Sequence, residues 1–387
     1  MIESIYCDQA ATSFPKPPVV IEAIRQSLTE ASASPGRSGH RLSLLASRAV
    51  FDAREATAEL LGVDDSSRIA FSLNVTQALN TALYGCLESG DHVLTTSLEH
   101  NSVMRPLNWL SRTRKIDIEV VPLEPDGRID PEGFQARLRK NTRLVVVNHA
   151  SNVTGAICPV QEIKQAIGLT PLLVDVAQSA GALPLDPLTG TTGPGADMIA
   201  FTGHKGLLGP TGTGGLWVRP GLTMSPLFRG GTGSRSEMEE HPDFMPDALE
   251  AGTPNTHGLS GLAAGIRFIL GIGLERIRAH ESALTRQFVD GLRQIQGLTI
   301  YGPDRIEHRV AVISINLAGW SPSDLALTLD REFGIMTRSG LHCAPRVHRA
   351  IGTFPQGTVR FSFGWFNTPS EVETVLAALN NISRRPG

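Results

Sequence analysis

The sequence has little of what marks several classes of protein. Only 4 of its 387 residues are cysteines, they form no CxxC pair, and aromatic residues make up 5%. A disulfide-stapled module is therefore disfavoured, and the cysteines are predicted to be reduced thiols in a cytoplasmic protein. The formal net charge of -3 disfavours a nucleic-acid-binding protein, because such proteins are normally basic.

Long apolar runs and clustered metal ligands are also lacking. The best apolar candidate, residues 258–274, is interrupted by Arg267, so no membrane span is predicted. The N-terminus has no basic region ahead of an apolar run, which predicts no secretory signal. His342, Cys343 and His348 have no fourth ligand at a suitable spacing, so no metal site is predicted.

What the chain does have is an alternation of apolar β-type runs with helical patterns. The predicted strands are residues 69–73, 92–96, 118–121, 143–147, 171–175, 197–201 and 215–218. Several are apolar almost throughout, as strands buried on both faces are. This pattern predicts an α/β protein whose large domain, residues 14–257, has a mostly parallel seven-stranded sheet. Residues 258–387 read as a smaller α+β C-terminal domain, with residues 1–13 packing on it.

Mostly polar residues follow five of these strands. Ligands of open α/β sheets bind beyond the carboxyl ends of the strands, so these residues are candidates for one site. Each alone is more often structural, and it is their convergence that favours a function. They are Asn74, Val75, Thr76, Gln77, Glu99, His100, Asn148, His149, Asn152, Asp175, Gln178, Thr202, His204 and Lys205.

The convergent residues match the chemical needs of pyridoxal phosphate. The cofactor needs a lysine to form an imine, and Lys205 qualifies. It needs a carboxylate beside its pyridine nitrogen, and Asp175 is placed for that. A helix beginning at residues 74–77 would offer free N–H groups to the phosphate. Further candidates are His100 for the ring face, Gln178 and Asn152 for the ring oxygen, and Thr76, Thr202 and His204 for the phosphate.

At this point the chain resembles a known family. Residues 175–181 (DVAQSAG) and 202–205 (TGHK) look like the signature of class V, fold-type I pyridoxal phosphate enzymes. Within them the chain is most similar to cysteine desulfurases and selenocysteine lyases, from about residue 5 to about residue 380. Residues 338–344 (RSGLHCA) resemble the short-loop, group II-like branch of the desulfurases.

The resemblance implies specific roles. The implied catalytic residues are Cys343 as nucleophile, Lys205 and His100. The implied cofactor-binding residues are Lys205, Asp175, Gln178, His100, Thr76, Val75, Asn152, Thr202, His204 and Thr253. Arg360, Asn152 and Arg338 are implied to bind the substrate. Thr253 is expected to reach the phosphate of a neighbouring subunit, which implies a homodimer.

The expected reaction converts L-cysteine to L-alanine and leaves the sulfur as a persulfide on Cys343, for delivery to a sulfur-acceptor protein. Residues 337–345 are predicted to be a loop, while Cys7, Cys86 and Cys158 are predicted to be buried small apolar residues. Selenocysteine lyase, acting on L-selenocysteine, is a close alternative. A class V aminotransferase or β-lyase without a persulfide is a second, and a non-enzymatic sulfur-carrier scaffold or sensor a third. The acceptor, whether an iron–sulfur scaffold, a carrier protein, a thiolation enzyme or a small thiol, is left open.

Overall fold

The computed structural model describes residues 4–36, 38–124, 126–190, 195–235 and 237–385. Within these ranges the strands are β1 (Ile5–Tyr6), β2 (Ile69–Ser72), β3 (His92–Thr96), β4 (Asp117–Val121), β5 (Thr142–Asn148), β6 (Leu172–Asp175), β7 (Met198–Thr202), β8 (Gly214–Val218), β9 (Leu298–Tyr301), β10 (Val312–Leu317), β11 (Ile335–Met336), β12 (Arg338–Gly340) and β13 (Thr358–Ser362). The α-helices are α1 (Pro18–Glu30), α2 (Arg41–Leu61), α3 (Val75–Cys86), α4 (Asn101–Arg114), α5 (Glu132–Gln135), α6 (Val160–Ile167), α7 (Thr256–Ile272), α8 (Leu274–Leu292), α9 (Pro322–Phe333), α10 (Pro345–Ala350) and α11 (Pro369–Ile382).

The larger sheet has seven strands in the order β2-β8-β7-β6-β5-β3-β4. β8 runs antiparallel to both of its neighbours, and the other pairings are parallel. The central strands β6, β7 and β8 are buried throughout, as their apolar sequences predict. The predicted α/β fold with a mostly parallel seven-stranded sheet is confirmed.

Helices cover both faces of this sheet. α3 and α4 pack on one face in a core that includes Leu79, Leu107 and Val146. α2, α6 and α7 pack on the other face. α3 begins directly after β2, where the side chain of Asn74 accepts a hydrogen bond from the Gln77 amide at 3.0 Å. This cap fixes the helix N-terminus at the edge of the sheet where the strands end.

The smaller sheet is antiparallel and has the order β12-β13-β10-β9. Its core also contains residues of α8, α9 and α11. The N-terminal strand β1 pairs with β11, and Ile5 and Cys7 are buried in the same core. These contacts support the proposal that residues 1–13 belong with the smaller unit.

α7 differs from the proposed domain division, which places residue 258 onward in the smaller unit. Its buried residues, among them Leu262 and Ile266, pack in the core of the larger sheet. The core of the smaller unit begins within α8, at Leu284. Only Gly273 separates α7 from α8, so no linker in the sequence marks the change from one core to the other. We therefore propose a large unit that includes α7.

The length and hydropathy of the helices bear on whether any of them could cross a membrane. Within the described ranges, no single helix is long and apolar enough to cross a membrane. α7 and α8, which are bent by 81° at the break between them, pass that test only when they are taken together.

Candidate active site

A cavity of about 270 Å³ lies beyond the carboxyl ends of the large-sheet strands. Nine of the ten predicted cofactor-binding residues line it, namely Val75, Thr76, His100, Asn152, Asp175, Gln178, Thr202, His204 and Lys205. Ser102, Asn74, Asn148, Ala150 and Ala177 complete its wall. Gln77, Glu99 and His149 follow the same strands but lie outside this lining.

Glu99 shows why position after a strand is not sufficient. Its Oε1 atom accepts hydrogen bonds from Thr96 Oγ1 at 2.7 Å and from the Asn148 amide at 3.0 Å. Burial raises the pKa of Glu99 to about 8. Glu99 therefore braces β3 against β5 beneath the cavity.

Lys205 and Asp175 form the charged floor of the cavity. Burial lowers the pKa of Lys205 to about 8; nearby Asp175 opposes this shift, while Arg360 and Arg338 add to it. Burial raises the pKa of Asp175, against the hydrogen bond that its Oδ1 accepts from the Ala177 amide at 2.8 Å. With a pKa of about 8, roughly a tenth of the Lys205 amine is neutral at pH 7 and about half at pH 8, and this neutral form is a nucleophile and a base.

His100 is oriented by Ser102, a residue that the sequence analysis missed. His100 caps α4, and its Nδ1 atom accepts a hydrogen bond from the Ser102 amide at 3.0 Å. Ser102 Oγ lies 2.8 Å from that nitrogen and 2.8 Å from Thr76 Oγ1. Burial, and then the charge of Lys205, lower the pKa of His100 to about 4. The imidazole is therefore neutral, and the remaining Nε2 carries its proton.

The N-terminus of α3 forms an anion cradle beside His204 and Thr202. The amides of Val75 and Thr76 belong to the first turn, whose N–H groups have no acceptor within a helix. The adjacent His204 Nδ1 is buried and, among the described residues, has no hydrogen-bond partner. Free N–H groups, the helix dipole and an unpaired imidazole nitrogen together suit a phosphate.

Arg360 lies at the side of the site contributed by the smaller sheet. Its guanidinium is 1% exposed. Nη1 donates to the Asn152 carbonyl at 3.1 Å, and Nη2 donates to Asp8 Oδ1 at 2.6 Å. Nε is buried and finds no acceptor within the described parts of the chain. Asp8, whose role the sequence did not reveal, thus occupies part of the guanidinium and leaves the Nε–H for another anion.

Arg338 lies opposite Arg360 where β12 pairs with β13. The two like charges face each other, and Arg338 contributes to lowering the pKa of Arg360, although burial is the larger cause. This pair places two guanidinium groups beside the Lys205 cavity. The predicted loop over residues 337–345 is wrong in part, because residues 338–340 form β12.

Cys343 lies between β12 and α10 and is the one exposed residue of the four cysteines, all of which fall in described ranges. Arg338 Nη2 donates to its Sγ atom at 3.8 Å. Its carbonyl accepts a hydrogen bond from the Asn101 amide at 2.8 Å. The backbone is left-handed at both His342 (φ 47°) and Cys343 (φ 58°), which is unusual for residues other than glycine.

The other three cysteines are less accessible. Burial raises the pKa of the Cys7 and Cys158 thiols, and raises that of Cys86 to about 11. Only the thiolate is strongly nucleophilic, so these three are poor nucleophiles at neutral pH. Within the described ranges, no group of three or more His, Cys, Asp or Glu side chains is arranged to hold a metal ion.

Comparison with known proteins places this geometry in a family. The family model described as Aminotransferase class-V matches residues 5–375. The chain belongs to the class-V aminotransferase family. The predicted resemblance to class V enzymes is confirmed.

Several class-V relatives match over nearly the whole chain. A "probable cysteine desulfurase" of Pyrococcus abyssi is 35% identical, covering 98% of this chain and 94% of the relative. Another of Aeropyrum pernix is 36% identical, covering 98% and 94%. The apo structure of cysteine desulfurase from Thermococcus onnurineus NA1 matches with a TM-score of 0.89 and 34% identity, covering 98% of this chain and 95% of that chain. The cysteine desulfurase CsdA from Escherichia coli matches with a TM-score of 0.85 and 27% identity, covering 98% and 94%.

Thr253 is the one predicted cofactor-binding residue that does not line the cavity of about 270 Å³. It borders a separate concavity of about 280 Å³, together with the exposed side chains of Leu73 and Phe228. Leu73 directly precedes Asn74, the cap of the α3 cradle. Thr253 therefore lies on the outer side of that cradle, and its role stays a prediction.

Proposed function

We propose that this protein is a pyridoxal phosphate-dependent cysteine desulfurase. It converts L-cysteine to L-alanine and holds the sulfur as a persulfide on Cys343 for a sulfur-acceptor protein. The observation that carries the proposal is that Arg338 lies near both groups the reaction needs. It contacts the exposed Cys343 thiol, and its charge helps to lower the pKa of the buried Lys205 amine. The desulfurase names of the relatives agree with it.

The cavity residues fit pyridoxal phosphate. Lys205 would attach to the aldehyde, Asp175 would face the ring nitrogen, and His100 would lie on the ring face. The α3 cradle, with Thr76, Thr202 and His204, would hold the phosphate. Asn152 Oδ1 is buried and lacks a partner within the described residues, so it can accept a hydrogen bond from a bound molecule. The bound cofactor supplies an electron-withdrawing ring that stabilises negative charge on the substrate carbon.

The side chains of this protein bind and deprotonate the substrate. Arg360 binds the substrate carboxylate through the N–H groups that Asp8 leaves open, a task that suits a guanidinium. Lys205 accepts the α-proton, because burial lowers its pKa to about 8 and so makes the neutral amine more available near neutral pH. General-base assistance of this kind is worth ~10²–10⁴-fold in rate.

Cys343 carries out the sulfur transfer. Its thiolate forms an S–S bond with the substrate sulfur as the substrate C–S bond breaks. The electron pair of that bond stays with carbon, which takes up a proton and becomes the methyl group of alanine. The sulfur is oxidised to the persulfide level and the carbon is reduced, so no external oxidant is needed. An acceptor thiol then regenerates Cys343.

We also infer a cytoplasmic homodimer in which Thr253 of one subunit contributes to the phosphate site of the other. Exposed apolar side chains support the dimer, because large apolar surfaces usually mark interfaces. Val19, Ile21 and Leu28 are exposed on α1, and Leu44 and Phe51 on α2. The four unpaired thiols agree with a reducing compartment. Sedimentation of the cofactor-loaded protein gives the mass that decides between monomer and dimer.

The decisive experiment measures alanine release from L-cysteine by the cofactor-loaded protein, with a reductant present. The wild type should release alanine, and Cys343→Ala should release essentially none. Cys86→Ala is the matched control, since it also removes a thiol but lies away from the site, and it should behave as wild type.

Equal alanine release by wild type and Cys343→Ala would disprove the role of Cys343. Pyruvate in place of alanine would assign the protein to the β-lyase alternative. If L-selenocysteine were strongly preferred over L-cysteine, the assignment would change to selenocysteine lyase.

A further inference from the structure

Four consecutive carbonyl groups of the large unit each accept a hydrogen bond from the smaller unit. They belong to residues 152–155, the loop after β5 that brings Asn152 to the cavity. The donors are Arg360 Nη1 to Asn152 at 3.1 Å, Ser314 Oγ to Val153 at 2.7 Å, Arg309 Nη2 to Thr154 at 3.0 Å and the Val310 amide to Gly155 at 2.9 Å. Such an uninterrupted series ties the loop to one unit along its whole length.

Arg309 is the most unusual of these donors. Its side chain is among the largest fully buried ones, and within the described part of the chain all its hydrogen bonds go to main-chain carbonyls. Besides Thr154, these belong to Pro303, Tyr301 and Val312. Burying a cation without a carboxylate partner is costly, so these carbonyls must offset the lost hydration. The guanidinium thereby joins β9 and β10 to the 152–155 loop.

The loop also lies in close contact with β10, the strand of the smaller unit that carries Ser314. Gly155 has φ +73°, and a Cβ atom there would lie 2.5 Å from the Val312 carbonyl oxygen. Only glycine permits this close approach to β10. The position of the loop is therefore set by the smaller unit rather than by β5 alone.

Asn152 connects the 152–155 loop to the segment that contains Cys343. Its Nδ2 atom donates to the His342 carbonyl at 2.7 Å. Together with the Asn101 amide on the Cys343 carbonyl, this bond holds two consecutive residues in the left-handed region. Such backbone is unfavourable for residues other than glycine and persists only where surrounding contacts fix it.

We propose that Arg309, assisted by Ser314, is a positioning residue for the Cys343 thiol. Arg309 holds the Thr154 carbonyl, the fixed loop presents Asn152 to His342, and the thiol stays beside Arg338. Arg309 itself does not touch the reacting atoms. The importance of the thiol rests on the proposed desulfurase function, whereas the mechanical link can be measured without it.

The test compares Arg309→Met and Ser314→Ala with Arg278→Met in the cofactor-loaded protein. Arg278 is a matched control, because it also donates to main-chain carbonyls of the smaller unit, those of Ile306 and Glu307, but not to the 152–155 loop. The first readout is amide hydrogen exchange at Asn101 and Ala344, which flank the thiol. The second is kcat and KM for alanine release.

Arg309→Met should speed exchange at both amides and lower kcat about 10-fold, since small misplacements of a reacting group are costly. Ser314→Ala should have a smaller effect in the same direction, Arg309→Lys should recover part of it, and Arg278→Met should have none. If Arg309→Met does not fold, the lysine and Ser314→Ala variants carry the test.

Unchanged exchange and kcat in folded Arg309 and Ser314 variants would overturn the proposal. So would an equal effect of Arg278→Met, because it would indicate general loosening. A wild type that releases no alanine would refute the desulfurase function alone, since the exchange comparison would still decide the positioning role.

Discussion

The two sides of the site are built in opposite ways. The side formed by the large sheet holds buried groups, and burial shifts the pKa of Lys205, Asp175 and His100 toward their neutral forms. The side formed by the small unit presents an exposed thiol on a left-handed turn. In the proposed reaction, proton transfer near neutral pH requires an amine of lowered pKa, whereas sulfur delivery requires an accessible sulfur atom. The difference shows how one site separates a protected chemical step from a transfer between molecules.

The largest expected effect is on the buried side. Lys205→Ala removes the amine that we propose attaches to the cofactor and accepts the α-proton, so alanine release should fall by at least ~10²–10⁴-fold. The absorption band of the lysine-bound cofactor should vanish as well. Cys343→Ala should lose alanine release but keep that band, which separates the two sides. A variant lacking Lys205 that still shows the band would place the attachment elsewhere.

A smaller effect is expected where the two sides meet. Arg360→Lys keeps the charge but loses the planar fork, so the KM for cysteine should rise by about 10–100-fold, the equivalent of one charged hydrogen-bond pair. Asp8→Asn should change KM much less, because the amide oxygen still accepts from Nη2. The measurement is the cysteine dependence of alanine release. A larger effect of Asp8→Asn would mean that Asp8, not Arg360, governs substrate binding.

The smallest effect concerns pH. The Lys205 pKa is lowered to about 8, so its reactive neutral form increases as pH rises through about 8. Covalent uptake of pyridoxal phosphate by the apo protein should therefore speed up about 5-fold between pH 7 and pH 8 and then level off. Arg338→Met removes a like charge and should move the midpoint upward. Cys343→Ala should leave it unchanged, and a midpoint near the ordinary lysine value would contradict this account.

Sequence reasoning located the large-sheet side of the site well. Parallel strands end at one edge, so residues that follow β5, β6 and β7 had to converge, and Asn152, Asp175 and Lys205 do line one cavity. Family resemblance, rather than pattern, brought in Arg360 and Cys343. Which residues surround Arg360 and Cys343 depends on how the two units pack against each other, and a local sequence pattern does not reveal that.

The omissions have the same physical origin. Asp8 accepts a hydrogen bond from Arg360, which is 352 positions away in the sequence, and no motif around Asp8 predicts that contact. The role of Ser102 could have been predicted, because a serine two residues after a helix-capping histidine can form a hydrogen bond with that histidine. β12 went unpredicted because a three-residue strand with glycine has almost no periodicity to read.

The facing arginines of β12 and β13 also affect the stability of the protein. Arg338 and Arg360 repel each other across the strand pair, and like charges in that arrangement weaken a sheet. A bound carboxylate relieves this repulsion, so it favours the folded protein by mass action as well as occupying the site. The melting temperature should thus rise with the concentration of amino-acid ligand. The concentration of the substrate would then affect the fraction of the protein that stays folded, and not only the rate of the reaction.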